Sequence, residues 1–575
     1  MRNRSKFNRM LLLSASFPAA ALLVHAGAAS AAPAAVNVPA GAGTGAVVNA
    51  DIDTAITTPA NPDLTVTIAS GADISGASIG YDFVTGGYAA GEGDGAVALT
   101  NDGRVAGISF GGVGAASAAN SFTGTNNGDV TGSVSATNFG GAASITNNGA
   151  VGGNIVGSAF GDVTLANGLT GAVDGSLIAS ALGAANVQIN NDGTVAGNVI
   201  GSATTGTVGI ANNGEIDGDA VAFTTTGAIS ISNGASGRIS GDVSAESDTG
   251  AITVANNGEV LGRTDLISQD SNFTSTGPTV TVSGTTTTTQ SSSSTETVGG
   301  DINGTYAGIN GSLNFGAGND GSISQFTAGN STATVTGTVY GNVSSVAQGS
   351  ASNSENIDVV TDSRDGAGTG TVVSSSTATN QFATTGGTST VNISGTVAPG
   401  DSGLSGSVNS AGVAGSAVNL NGGQVSGNVT STSQGSVTNI EGSFFGPNFV
   451  QTDNYEAGVF QGFTRTDNFE FSQEQIGGAA SVSLQGASNV DGSINVFGGS
   501  ASADIGSAST VGGDVNVSSA FSPAFTFAAS SVRTETAAGD GTAVQTTSIS
   551  SAAPAAAGNA TLANAGRIEG NATAQ

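Results

Sequence analysis

The chain lacks most of the side chains that catalyse reactions or bind transition metals. Its 575 residues include no cysteine, no tryptophan, one histidine, His25, and one lysine, Lys6, and both of these lie within the first 31 residues. Beyond that segment, no Ser-His-Asp triad, thiol nucleophile, lysine Schiff base or phosphate-loop lysine can form. A zinc site built on histidine or cysteine is excluded as well.

Positive charge is also scarce. The chain has 11 basic and 41 acidic residues. Residues 1–31 hold four of the basic residues and none of the acidic ones, which leaves seven against 41 and a net charge of −34. Nucleic-acid binding needs basic patches that this composition does not supply.

The first 31 residues have the pattern of a secretory signal peptide. Residues 1–9 contain four basic side chains, residues 10–24 are apolar, and Ala29-Ser30-Ala31 precedes a predicted cleavage site at Ala32. The apolar segment is too short for a transmembrane helix, and no later stretch approaches the required 20 or so apolar residues. The sequence therefore predicts export through the inner membrane, to the cell surface or the extracellular space.

One short phrase recurs eight times between Asn101 and Val260. An asparagine is followed, typically four residues later, by Val or Ile and then by glycine, and apolar residues alternate with polar ones around it. This alternation predicts β-strands. The asparagines are 25, 21, 20, 24, 21, 21 and 23 residues apart, at Asn101, Asn126, Asn147, Asn167, Asn191, Asn212, Asn233 and Asn256. A period in the low twenties is that of one solenoid coil.

The predicted fold is all-β, a right-handed parallel β-helix of roughly 21–23-residue coils with polar loop insertions. Each coil would contain a strand of about five residues, an Asn-Gly corner, a second strand and a return. We interpret the asparagines as a stacked amide ladder at this corner, because Asn and Gly tolerate its backbone conformation. The alternative is a polar binding stripe.

The phrase continues beyond Gly262 with larger glycine intervals of 38, 41, 86, 65, 21 and 57 residues, and its first such copy is Val298/Gly300/Ile302. One solenoid is therefore expected throughout. The predicted segments are the signal peptide at 1–31, an N-terminal capping or leading β segment at 32–95, regular solenoid at 96–265, and irregular solenoid with insertions at 266–575, ending within a repeat.

The insertions differ in composition. Residues 285–297 and 350–390 are rich in Ser and Thr, and are either flexible loops or strands with a threonine-bearing outer face. Residues 444–471 hold eight of the 28 aromatic residues and predict a hairpin or loop that projects from the rod. Its candidate partner contacts are Phe444, Phe445, Phe449, Tyr455, Phe460 and Phe463. The alternative is a small satellite core that buries the insertion against the solenoid.

No catalytic, cofactor-binding or metal-binding residue is predicted. Glu92-Gly-Asp94 and Gly316-Ala-Gly318-Asn-Asp320 resemble fragments of the calcium-binding nonapeptide repeat, but no tandem copy completes an ion cage, so Ca²⁺ is at most a weak ligand. Right-handed β-helices also host polysaccharide lyases and glycoside hydrolases, which use paired carboxylates or calcium with arginine. The residues nearest to that pattern are Asp217, Asp219, Arg238 and Asp242.

The signal peptide, followed by coils such as 212–218 and 256–262, resembles the passenger region of Gram-negative autotransporters and filamentous-haemagglutinin-like surface proteins. The resemblance covers residues 95–575 as an architecture. It implies export across the outer membrane, surface display, and roles in adhesion, aggregation or biofilm formation. The implied partners are a glycan or protein surface of a host, a sibling cell or the matrix, and an outer-membrane translocator.

The sequence departs from an autotransporter because residues 564–575 fall inside a repeat and no membrane β-barrel follows. Two explanations stay open: the chain is a fragment that lacks its barrel, or a separate partner secretes it. An uncapped solenoid edge would also favour self-association. The predicted function is a non-enzymatic, adhesin-like surface rod, with a polysaccharide-active enzyme as the alternative.

Overall fold

The computed structural model describes residues 34–41, 63–82, 96–113, 120–268, 274–276, 287–295, 302–306, 309–310, 321–362, 369–385, 387–400, 403–433, 435–441, 448–457, 459–476, 478–519, 524–536, 546–551 and 558–575. Within these ranges every regular element is a β-strand. None of these residues forms a helix long and apolar enough to cross a membrane. The predicted signal peptide, and the calcium-like segments around Asp94 and Asp320, lie outside the described residues.

The predicted parallel β-helix is confirmed. Strands pair in parallel with their equivalents one coil away, and the register is kept residue by residue in most pairs, as between Val187–Asn191 and Val208–Asn212. Each regular coil has three strands of five, two and five residues, one more than expected. We call these strands the first, second and third rows.

The first row forms a sheet of 17 described strands. They are Ala34–Val38, Leu64–Ile68, Ala96–Asn101, Ser121–Asn126, Ala143–Asn147, Val163–Asn167, Val187–Asn191, Val208–Asn212, Ile229–Asn233, Ile252–Asn256, Ile302–Tyr306, Ser331–Val335, Thr388–Ile393, Gly415–Asn421, Ala479–Gln485, Ser500–Ile505 and Ala560–Asn564.

The second and third rows together form a sheet of 30 described strands. In the coils whose first-row strands are Leu64–Ile68 and Ala96–Asn101, Asp73–Asp82 and Arg104–Gly111 each span both rows. The remaining second-row strands are Asp129–Val130, Ala150–Val151, Ala172–Val173, Thr194–Val195, Glu215–Ile216, Arg238–Ile239, Glu259–Val260, Ile309–Asn310, Thr338–Tyr340, Thr396–Ala398, Gln424–Val425, Asn489–Val490, Thr510–Val511 and Arg567–Ile568.

The third row follows a second glycine-containing corner. Its strands are Val134–Phe139, Ile155–Ala159, Leu177–Ala181, Val199–Ala203, Ala220–Thr224, Val243–Ser247, Thr264–Ser268, Ile323–Thr327, Val343–Ala347, Val408–Gly412, Val429–Ser433, Ile494–Gly498, Val515–Ser519 and Ala572–Ala574. Inward residues of all three rows form one hydrophobic cluster along the coils, because alternate residues of each strand face the interior.

The sequence register was wrong at one copy of the phrase. The phrase predicts that Ile302 starts a strand after the glycine corner, but Ile302 begins a first-row strand and pairs with Ile252. Spacing alone misassigned it because the insertion at 269–301 separates it from the preceding coil. The true second-row strand of this coil is Ile309–Asn310.

The predicted asparagine ladder is confirmed. All eight asparagines are buried, and seven hydrogen bonds of 2.7–2.9 Å join them, with the Nδ2 of each of the first seven donating to the Oδ1 of the next. Asn191, for example, also donates to the backbone carbonyl of Glu215 across 3.2 Å. A buried amide must be paired, and stacking supplies each amide with its neighbour as partner.

The interior polar ladder changes its chemistry after Asn256. The equivalent residue one coil later is Tyr306, and the column then continues as Val335, Ile393, Leu420, Leu484 and Ile505. Gln325 Nε2 donates to the Tyr306 hydroxyl across 3.0 Å, and Ser331 donates to Gln325 Oε1 across 2.9 Å. A buried chain of hydroxyl contacts of 2.8–3.0 Å follows, through Ser345, Ser389, Ser410, Ser416 and Ser431.

The insertions, which were predicted as loops or strands, form a third sheet. Every one of its strands belongs to a segment between a third-row strand and the next first-row strand, so all of them leave the same corner of the coil. We call this antiparallel assembly of nine described strands the hairpin sheet. Its strands are Thr274–Thr276, Thr287–Thr295, Ser350–Asp362, Gly370–Thr385, Ser436–Glu441, Asn448–Glu456, Val459–Ile476, Ala524–Thr536 and Thr546–Ser551.

The four hairpins occur at every second coil. Segments 269–301, 348–387, 434–478 and 520–559 carry one hairpin each, whereas the corners between them are closed by 328–330, 413–414 and Gly499. Two coils advance the solenoid by about 9.6 Å, and the two strands of a hairpin occupy the same width. Successive hairpins can therefore pair without a gap or a clash, as Gly370–Thr385 pairs with Asn448–Glu456.

We expect Asn191→Leu to destabilise the coils around it by about 2–4 kcal/mol, because Asn167 loses its acceptor and Asn212 loses its donor inside the core. Leucine fits the column, as Leu420 and Leu484 occupy equivalent positions. Local unfolding is measured by amide hydrogen exchange of residues 187–216.

The matched control for this change is Asn190→Leu, on the outward side of the same strand, which should stay within about 0.5 kcal/mol of the wild type. Equal hydrogen-exchange protection of residues 187–216 in the two variants would contradict a stabilising role for the ladder.

Burial raises the pKa of the Tyr306 hydroxyl far above its ordinary value, Gln325 opposes this by hydrogen bonding, and the charge of Asp265 adds to it. The folded state therefore holds this proton more tightly than the unfolded state does. The resulting stability is present below the ordinary pKa of about 10 and is lost as the pH rises above it.

We expect Tyr306→Phe to lower stability at neutral pH, because Gln325 loses its partner, and also to flatten the alkaline loss of stability. Denaturant midpoints measured from about pH 8 to about pH 11 test both effects. Parallel pH profiles for the wild type and the variant would show that Tyr306 does not ionise on unfolding.

Candidate functional site: the third hairpin

The aromatic insertion is an antiparallel hairpin of Asn448–Glu456 and Val459–Ile476. It lies inside the hairpin sheet, where Asn448–Glu456 pairs with Gly370–Thr385 and Val459–Ile476 pairs with Ala524–Thr536. The predicted hairpin is therefore confirmed. It pairs with its neighbours on both sides.

Four of the six predicted contact residues lie on this hairpin. Phe449, Tyr455, Phe460 and Phe463 occupy described positions, whereas Phe444 and Phe445 lie outside the described residues. Alternation places Phe449, Gln451, Asp453 and Tyr455 on one face of their strand. The register sets Phe463 opposite Asp453 and Phe460 opposite Tyr455, so the four aromatic residues share this face.

Two aromatic contacts organise the face. The rings of Tyr455 and Phe460 meet edge to face, with centroids 5.7 Å apart and planes at 65°. The guanidinium carbon of Arg465 lies 4.0 Å from the centroid of the Phe449 ring, which is cation–π geometry. Between them, Gln451 Nε2 donates to Asp453 Oδ1 across 2.9 Å.

The hairpin turn is held in a defined conformation. Ala457 adopts a φ of 48°, which is unfavourable for a residue with a Cβ and suits a tight two-strand turn. Its backbone N–H donates to Thr369 Oγ1 of the second hairpin across 3.0 Å. The neighbouring hairpin therefore supports the turn that brings Tyr455 and Phe460 together.

Exposed apolar side chains gather on the hairpin sheet. Among the described residues, the large exposed hydrophobics are Leu169, Leu182, Val360, Val450, Val459, Phe460 and Phe497. Four of them belong to the second and third hairpins, and Val459 and Phe460 at the tip are 62% and 39% exposed. Val459 and Phe460 are adjacent in sequence, and adjacent exposed apolar groups among polar ones are typical of interaction surfaces.

Two of the acidic residues considered for catalysis, Asp219 and Asp242, accept backbone hydrogen bonds between coils. Asp219 Oδ1 accepts the backbone N–H of Asp242, and Asp242 Oδ1 accepts that of Arg263. In neighbouring coils the same bond is made by Ser133, Asn154, Ser176 and Asn198. Because serine, asparagine and aspartate alternate in this column, the position needs an acceptor and has no requirement for a carboxylate.

Arg238 is paired along the second row. Its guanidinium contacts Glu215 across 2.7 Å and Glu259 across 3.2 Å, and both partners are its register neighbours. Arg104 and Asp129 form a similar pair of 3.0 Å. These partly exposed pairs align charges between coils. Among the described residues, no cluster of three or more His, Cys, Asp or Glu side chains could hold a metal ion.

Sequence reasoning found the aromatic residues but missed Gln451, Asp453, Arg465 and Val459. The alternation of Phe449, Gln451, Asp453 and Tyr455 was a readable signal for a strand with one mixed aromatic and polar face. Comparisons with protein-family models, with curated proteins and with solved structures found no match to this chain.

Proposed function

We propose that this chain is an exported β-helical rod that acts at the cell surface in adhesion, aggregation or biofilm formation, and that it contacts its partner through the hairpin sheet. The observation that carries the proposal is the exposed apolar and aromatic tip of the third hairpin, where Val459 and Phe460 meet solvent. A partner surface that covers these two adjacent side chains would gain binding free energy from the burial of their apolar area.

The contacts within the regular coils support the assignment of partner binding to the hairpin sheet. Its asparagine ladder, its serine chain and its corner acceptors are all engaged in contacts between coils. The regular solenoid therefore acts as a scaffold, and the hairpin sheet presents side chains beside it. The signal-peptide pattern and the acidic composition fit an exported protein.

The resemblance to autotransporter passengers supports the location. It leads us to propose display outside the outer membrane, with a translocator supplied either by the same polypeptide or by a separate partner. The partner surface is a glycan or a protein of a host, a sibling cell or the matrix. The competing hypothesis is a β-helical polysaccharide lyase or glycoside hydrolase, for which Asp217, Asp219, Arg238 and Asp242 were the candidate residues.

Cells that export the wild-type chain should aggregate or adhere, and the double variant Val459→Ser/Phe460→Ser should reduce this to the level of non-exporting cells. The physical reason is the loss of the exposed apolar contact at the hairpin tip. Settling of cell suspensions and retention on coated surfaces measure the effect, and protease digestion of intact cells checks display.

The control is Leu169→Ser, which removes a side chain that is 86% exposed on the regular solenoid and should leave adhesion unchanged. Equal adhesion of the wild type and the double variant would contradict the proposed contact. Release of reducing or unsaturated sugar ends from polysaccharide by the purified chain would favour the enzymatic hypothesis.

A further inference from the structure

We infer that the aromatic face of the third hairpin binds an uncharged polysaccharide, and this inference rests on the proposed adhesive function. The face consists of Phe449, Gln451, Asp453, Tyr455, Phe460, Phe463 and Arg465, which we call the mixed face. The partner is thus specified as a chain of neutral sugars.

The spacing of groups on the mixed face suits a sugar chain better than a protein. Along one strand, ring and polar positions follow each other as Phe449, Gln451, Asp453 and Tyr455, over about 20 Å of extended backbone. Sugars offer apolar C–H faces beside hydroxyl groups, so each ring and each polar group can find its own partner. Aromatic side chains supply both the apolar contact area and the defined geometry for such stacking.

An apolar protein patch would fit the same face poorly. It would cover the rings but would also strip water from the side chains of Gln451 and Asp453, whose remaining hydrogen-bonding capacity an apolar surface cannot satisfy. Gln451 and Asp453 already contact each other across 2.9 Å, which presents an amide and a carboxylate at a fixed separation. Sugar hydroxyls both donate and accept hydrogen bonds, so they can satisfy the two groups together.

Charge excludes one large class of glycans. The chain carries a formal net charge of −30 over its full sequence. The mixed face itself includes Asp453, and Arg465 is engaged with the Phe449 ring. Sulfated or uronic-acid-rich polymers would therefore be repelled at long range, whereas a neutral chain meets no such barrier.

Binding is tested with the purified exported chain on immobilised neutral polysaccharides (a β-glucan, a galactomannan and a dextran), with heparin as the polyanion and gelatin as the protein surface. We expect binding to at least one neutral polysaccharide and none to heparin. This binding should be nearly unchanged from about 0.1 M to about 1 M salt, a range that screens surface charges. Preference for heparin or for gelatin, or binding to none of the neutral polymers, would overturn the inference.

Two variants distinguish ring stacking from apolar contact. Phe460→Leu keeps apolar volume but removes the ring, so affinity for the polysaccharide should fall at least about tenfold. Tyr455→Phe keeps both rings and should bind within about threefold of the wild type. If Phe460→Leu binds as tightly as the wild type, the exposed ring at the tip does not stack on a sugar and the inference fails.

The matched control is Val450→Ser, which changes an exposed residue on the opposite face of the same strand and should leave binding unchanged. Circular dichroism of each variant confirms that the β-structure is retained. Loss of glycan binding with cell adhesion intact would reject the glycan and keep the adhesive rod. Glycan binding by a chain that gives no adhesion would keep the glycan ligand and reject the adhesive function.

Discussion

Parallel pairing between coils is the constraint on which the rest of the structure depends. Each strand must meet its equivalent in the next coil at a spacing of about 4.8 Å, so any residue repeated in register becomes a column of stacked side chains. Inside the rod these columns are Val and Ile, together with one row of amides. At the second corner they are side-chain acceptors such as Asn198 and Asp219, which bond the backbone of the following coil.

The same constraint governs what can be added to the rod. A hairpin is two strands wide, so hairpins placed at every second coil match the advance of the solenoid. The interior changes over the same part of the chain. The asparagine ladder ends at Asn256, the first hairpin segment follows, and Tyr306, Gln325 and the serine chain take over the buried polar contacts. Both chains pair buried polar groups with one another, although one uses amides and the other mainly hydroxyls.

The regular coils were predictable because one pattern carries both strand and corner. Val187, Ile189 and Asn191 alternate with polar neighbours, and this alternation fixed the strand, its inward face and the amide ladder. The placement of a hairpin at every second coil was harder to predict from the sequence, because the long insertions hide the coil period. The same insertions caused Ile302 to be assigned to the wrong row. The corner column was missed because Ser176, Asn198 and Asp219 perform one task with three residue types.

The candidate site could likewise be predicted only in part from the sequence. Composition alone identified the aromatic segment, because eight of the 28 aromatic residues lie within residues 444–471. The pairing of Tyr455 with Phe460 depends on a turn at Ala457, whose backbone N–H donates to Thr369 of another hairpin. This support of the turn arises only when separate insertions meet in one sheet, which no local pattern encodes.

The most direct test of this account is a disulfide between hairpins, because the chain contains no cysteine of its own. Ser374 of the second hairpin pairs with Gln451 of the third, so a Ser374→Cys/Gln451→Cys variant places two thiols opposite each other. The account predicts an intramolecular disulfide on mild oxidation, seen by mass spectrometry of the digested chain. Free thiols, or cross-links only between molecules, would show that the hairpins do not share one sheet.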